Sequence, residues 1–253
     1  RLMVENSIDA IYMEGGNSMF YFTGVKWGLS ERTFAVLIPA RGDIGYICPA
    51  FEEDRARELI RFGDDVRTWE EHESPYERIA QLLADRGLRN GTLGMEEQVR
   101  FFQLDNIRKA APGLQFVSAD PVALECRLLK SPAEIALMTR AADIDIAAYK
   151  ATVPRIEVGM TEEDLNELSK EAFNEIGVEG MIGFHFDFAS SLPHGSTQII
   201  EVKEGSTILM DSGNKNWLKA TRPIGIDGYR SDISRTVFFG EPTQRQKDVW
   251  EHM

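Results

Sequence analysis

Two aspartates stand where carboxylates are unexpected. In the run STILMDSG, Asp211 follows three apolar residues, and in GYRSDISRTVFFG, Asp232 leads into a strongly apolar stretch. Asp is disfavoured in strands, and burying an unpaired carboxylate costs several kcal/mol. One Asp on each of two neighbouring strands is readily explained if a cation lies between them. Pairing the runs as a hairpin with Asp211 opposite Asp232 puts the turn near Ala220–Pro223, where Pro223 suits a turn. Directly opposed side chains lie about 4.5–5.5 Å apart at Cβ, and like charges at that range repel unless something neutralises them. Hard divalent cations accept such carboxylates. The same residues admit a plainer arrangement, with Asp232 paired to Arg230 or Arg235 at the surface and Asp211 capping a turn.

His194 lies in a Pro-His-Gly loop just upstream, in SSLPHGS. An imidazole there suits a proton shuttle, a ligand or a substrate contact, and equally an exposed loop histidine with no role. His185 and Asp187 alternate with Phe in GFHFDF and so share one strand face, directed either at the site or at solvent. No role attaches to His72 or His252. The sequence holds no GxSxG, GxxxxGK, GxGxxG or HExxH string, which leaves the nucleophile-elbow, phosphate-loop, dinucleotide and zincin chemistries without support.

The elements that must position these residues are legible from pattern. IDAIYM reads as a buried strand after the tail of a helix, and TFAVLIPA and IGYICPA as a hairpin about Arg41-Gly42-Asp43. An acidic helix spans about 52–61. Another begins at Ser74-Pro75-Tyr76-Glu77, carries Ile79, Leu82 and Leu83 inward, and ends at Gly87. TLGME and LQFVSA are strands around a further helix. Alternation of strands and helices predicts an α/β domain over residues 1–121. Lys130-Ser131-Pro132-Ala133-Glu134 starts a long helix whose predicted inner stripe is Ile135, Met138, Ala142, Ile146 and Tyr149. Thr161 caps the next, with Leu165, Leu168, Ala172 and Ile176 inward. From Gly183 onward the runs GFHFDFASS, STQIIEV, STILMDSG and GYRSDISRTVFFG read as strands, so residues 122–253 form an α+β domain.

Composition bounds the partners. The formal net charge of −13 argues against nucleic acid or an anionic membrane surface, both polyanions, and suits a solvated acidic surface or carboxylates gathered about a cation. Cys48 and Cys126 are far apart without CxxC spacing, which excludes a disulfide framework and favours a reducing cytoplasm. No segment approaches the roughly 18–20 apolar residues that span a bilayer.

Taken together, LPHG, LMDSG and GYRSDISRTVFFGEPTQRQ, with a helix opened by Gly159-Met160-Thr161-Glu162, resemble the metallopeptidase family of prolidases and Xaa-Pro aminopeptidases. RLLKSPAEIALMTRAA resembles that family's entry into its pita-bread catalytic domain, and IDAIYMEGGNSMFYFTG the start of its creatinase-type N-terminal domain. The resemblance implies a dinuclear centre, usually Mn²⁺ or Co²⁺, built by two Asp, one His and two Glu. The two Asp correspond to Asp211 and Asp232, and His194 matches a histidine that contacts substrate. The implied reaction is hydrolysis of the bond preceding proline in dipeptides or short peptides, with the two ions activating water and polarising the carbonyl. Homodimers are common in such a family, though no segment here marks an interface.

Two departures qualify the resemblance. The interval between the Asp residues is about twice the usual one, the surplus falling in Asn214–Asp227; an even insertion at a hairpin tip would lengthen both arms and keep the pairing. The family's His ligand and both Glu ligands would fall beyond Met253, so the chain is expected to be an incomplete form that binds metal weakly and turns nothing over. A creatinase-like hydrolase working without metal and a non-catalytic pita-bread module binding peptide or protein remain as alternatives. The first is disfavoured by the Asp pair, the second by retention of both Asp in so specific a motif.

Overall fold

The computed structural model describes residues 1–187, 201–212 and 229–252, and the backbone of 217–218. The chain divides into two compact units, Arg1–Leu129 and Lys130–Met253.

The first unit follows the strand–helix alternation. In order, it contains α1 (Leu2–Glu5), β1 (Ala10–Glu14), α2 (Asn17–Thr23), β2 (Ala35–Pro39), β3 (Gly45–Pro49), α3 (Glu53–Leu59), β4 (Asp65–Trp69), α4 (Pro75–Asp85), β5 (Thr92–Met95), α5 (Phe101–Ala110), β6 (Gln115–Ser118) and α6 (Asp120–Leu128). One mixed sheet runs β4-β3-β2-β1-β5-β6. The hairpin about Arg41-Gly42-Asp43 forms as the sequence indicates, with Ala35 opposite Ile47. β1 is buried along its whole length because helices cover both sheet faces. Alternation sends Ile11 and Met13 to one core with Ala56, Val122 and Ala123, and Ala10 and Tyr12 to the other with Ile79, Leu82 and Ile107. Ser74 caps α4 by accepting from the Glu77 amide, and Gly87 follows with φ +79°. The expected division at 121/122 falls inside α6, whose Val122 and Ala123 are part of the first unit's core.

A charge is buried at the end of β1. Glu14 accepts from the Arg100 backbone amide at 3.0 Å and from its guanidinium at 2.5 Å, so its burial is compensated.

The second unit opens with α7 (Pro132–Thr152) and α8 (Glu162–Glu175). Both start in capping boxes, Ser131 with Glu134 and Thr161 with Asp164. Strands β7 (Val178–Glu179), β8 (Gly183–Phe186), β9 (Thr207–Ser212), β10 (Trp217–Leu218) and β11 (Ile233–Phe238) follow, then α9 (Gln244–His252). β11, β9 and β8 form an antiparallel sheet in that order, and β10 pairs separately with β7. One sheet face packs Phe184, Phe186, Ile208 and Met210 against Ile144, Tyr149, Leu165 and Phe173 of the helices, an α+β arrangement. The run STQIIEV lies outside the described residues except for its last two.

The inner stripe of α7 differs from the expected one. Ile135 and Met138 are exposed, and the buried face is Ala141, Ile144, Asp145, Ala148, Tyr149 and Thr152. Small residues let the helix lie close to the sheet, and a hydrophobic-only count misses a face that includes a carboxylate and a hydroxyl.

Candidate metal centre

Alternation along β9 settles which way Asp211 faces. Ile208, Met210 and Ser212 turn to the core, and Thr207, Leu209 and Asp211 to the opposite side, where Asp211 is exposed. The register of β9 with β11 is not the one the spacing suggests. Asp211 lies opposite Ser234, and Ser212 opposite Ile233, the last pair of the ladder. Asp232 is therefore two residues short of facing Asp211. It precedes β11 and is exposed, on the same side as Ser234 by the alternation of an extended chain. The two carboxylates are diagonal neighbours, and diagonal positions in an antiparallel pair lie about 7–8 Å apart. Because both reach solvent, neither carries the burial penalty that first drew attention to them. The expected turn at 220–223 lies outside the described residues. The extra residues do not simply prolong the ladder, since Trp217–Leu218 pairs with Val178–Glu179 instead.

Ser234 donates its hydroxyl to Asp211 Oδ1 at 3.0 Å, which orients that carboxylate. The opposite side of the same segment is held by α7. Tyr229 Oη donates to Glu134 Oε1 at 2.9 Å, Ser231 Oγ donates to Asp145 Oδ2, and Tyr149 Oη donates to the Ile233 carbonyl at 2.6 Å. Residues 229, 231 and 233 thus face α7, which leaves Arg230, Asp232 and Ser234 on the other side. Ser212 Oγ also donates to Asp145 Oδ2, at 2.9 Å. Asp145 is fully buried. Burial, with help from the charges of Asp145 and Asp211, pushes the Tyr149 phenol up to about 12 against a hydrogen bond with Ser212 that lowers it. It stays a donor throughout the neutral range.

The other candidates separate. His194 lies outside the described residues. His185 is half-buried, pairs with Leu209, and shares the sheet face of Asp211. Asp187 leaves that face. Its backbone is left-handed, φ 44°, and its carboxylate accepts from the Thr207 amide at 2.8 Å and from Ser206 Oγ at 3.3 Å, fastening the start of β9. Among the described residues, no three or more His, Cys, Asp or Glu side chains come together as a metal site. Asp145 went unnoticed in the sequence. Its signal was a helical period running Ala141, Ile144, Asp145, Ala148, one position round from the larger apolar residues.

Residues 1–129 match the family model of the Creatinase/Prolidase N-terminal domain, and residues 136–253 that of metallopeptidase family M24. An uncharacterized peptidase of Schizosaccharomyces pombe is 32% identical over 97% of this chain and 55% of its own length. A Xaa-Pro dipeptidase of Pyrococcus furiosus is 23% identical over 99% of this chain and 66% of its own. The fold is that of a solved dipeptidase from Pyrococcus horikoshii, with TM-score 0.81 at 22% identity, covering 99% of this chain and 67% of the other. The chain spans 55–66% of the length of these curated relatives.

Proposed function

The chain belongs to the creatinase/prolidase family, a creatinase-type N-terminal domain followed by an M24 pita-bread domain, and from that premise we propose that the protein is a metal-dependent peptidase cleaving the bond before proline in dipeptides or short peptides. The observation that carries this reading is the pair Asp211 and Asp232, diagonal neighbours on the exposed side of one strand pair and held from behind by α7. The donor set fits a hard divalent cation, for which oxygen ligands are preferred, and Mn²⁺ or Co²⁺ is the proposed metal. Asp211 and Asp232 would hold it, with the remaining ligands supplied from outside the described residues. Bound divalent ions supply Lewis-acid polarisation of the scissile carbonyl and water activation at neutral pH.

The chain's own contribution is placement. Asp232 projects between two residues gripped by α7, so its backbone is fixed on both sides. Ser234 holds Asp211 by a hydrogen bond from an uncharged donor, which orients the carboxylate without neutralising it for a cation. His194 is assigned to substrate contact on the family resemblance. The bond before proline is an imide without an N–H, so recognition must come from a pocket shaped for the ring.

The test is release of proline from a Xaa-Pro dipeptide by the full-length protein with added Mn²⁺, compared with Asp232→Ala. Loss of turnover in the variant is expected. Turnover that persists in Asp232→Ala overturns the metal mechanism, and cleavage only of peptides lacking proline overturns the specificity.

A further inference from the structure

The buried carboxylate of Asp145 lies on the far side of the strands from the exposed aspartates, yet two of its partners are the immediate chain neighbours of those residues. Ser212 follows Asp211, and Ser231 precedes Asp232. One oxygen, Oδ2, accepts from both hydroxyls. The geometry points to Asp145 as a positioning residue: it clamps the end of β9 to the approach of β11 and so sets the spacing between Asp211 and Asp232. This inference rests on the proposed metal role of those two aspartates.

Three observations carry it. First, Ser212 and Ile233 form the last pair of the β9–β11 ladder, so beyond that point no described backbone pairing fixes Ser231 or Asp232. The Ser231–Asp145 hydrogen bond takes over where the ladder stops. Second, Asp145 is fully buried, so its oxygens must find their hydrogen bonds within the protein, and losing one leaves a buried polar atom unsatisfied. Third, Tyr149, one helical turn on, donates to the Ile233 carbonyl, and Glu134 receives Tyr229. The clamp therefore acts on alternate residues of a single extended segment, which sets the direction of Asp232 without touching its side chain.

Groups that orient metal ligands typically change affinity 10–100-fold when removed. The experiment uses the full-length protein and Mn²⁺ as probe, with affinity read by calorimetry and amide hydrogen exchange read over residues 210–212 and 231–234. Asp145→Ala is expected to weaken Mn²⁺ binding at least tenfold and speed exchange at both strand ends, while α8 exchanges as in the parent. Asp145→Asn, which keeps one acceptor oxygen for the two serines but not the carboxylate, should fall between parent and Asp145→Ala. Should Asp145→Ala not fold, Ser212→Ala and Ser231→Ala each remove one arm, and each should weaken Mn²⁺ binding severalfold. A folded variant with unchanged affinity and unchanged exchange overturns the inference, as does faster exchange with unchanged affinity, which would make the clamp purely structural. If the parent protein binds no Mn²⁺, the metal reading fails by itself, and the clamp stands or falls on the exchange data.

Discussion

Ser234, the residue across the ladder from Asp211, donates its hydroxyl to that carboxylate over 3.0 Å. The contact is exposed, so removing it costs the fold little, and its effect should appear in the ligand it orients. Ser234→Ala in the full-length protein is expected to reduce Mn²⁺ affinity about tenfold while the circular dichroism spectrum stays unchanged. Calorimetric titration decides it, and equal affinities would remove Ser234 from the site.

The Glu14–Arg100 pair makes a stability prediction for the first unit. The Glu14 side chain is 3% exposed, so deleting its partner strands a buried charge. Arg100→Met should lower the unfolding free energy by about 3–5 kcal/mol, and adding Glu14→Gln should restore part of that loss by removing the charge. Urea titrations of the two variants test this, with no recovery in the double variant as the contrary result.

Cys48 should be chemically silent. Burial, with Glu52 and Glu53 nearby, pushes its thiol up to about 12, which leaves on the order of one thiolate in ten thousand at pH 8. Cys126 is only partly buried. Mass spectrometry after brief treatment with a thiol reagent is expected to show one adduct on the native chain and two in urea; rapid double labelling of the native protein would contradict the burial.

Tyr12 predicts how stability changes in alkali. Complete burial, and then the Glu14 charge, raises its phenol well above the ordinary value of 10.0, and its hydroxyl donates to Gln103. The unfolded chain therefore loses this proton at a lower pH than the folded one. The stabilisation is complete below pH 10.0 and declines as pH rises from there toward the folded value. Tyr12→Phe should flatten the fall in stability above pH 10.0, measured as denaturation midpoints across pH; parallel curves for parent and variant would refute it.

Local signals carried most of the fold because caps and alternation act over a few residues. Ser74, Ser131 and Thr161 cap their helices as the sequence indicates. What pattern could not supply was anything set by packing between elements. The register of β9 with β11 slipped by two because Asp-to-Asp symmetry has no force of its own, whereas Ile233 and Val237 must meet the core. Asp145 was missed for a related reason. A carboxylate on a helix reads as solvent-facing until its partners, 67 and 86 residues away in sequence, are brought to it. The aspartates are singled out in the sequence by an argument about burial that their exposure does not support, so their proposed metal role leans on the resemblance of the surrounding SDISRT string.

The clamp on Asp145 also bears on fidelity of assembly. Apolar side chains such as Ile233 and Val237 tolerate neighbouring positions with modest loss, but a hydroxyl either reaches a buried carboxylate or leaves it stranded. A one-residue slip of β11 would bring Asp232 or Arg230 to the helix in place of Ser231, setting a second acid against Asp145 in one direction and forcing a long guanidinium into a space that holds a serine in the other. The same acid would thus work as a proofreader of strand pairing, and Ser231→Ala chains should refold with a larger misregistered fraction, visible as a second set of amide signals.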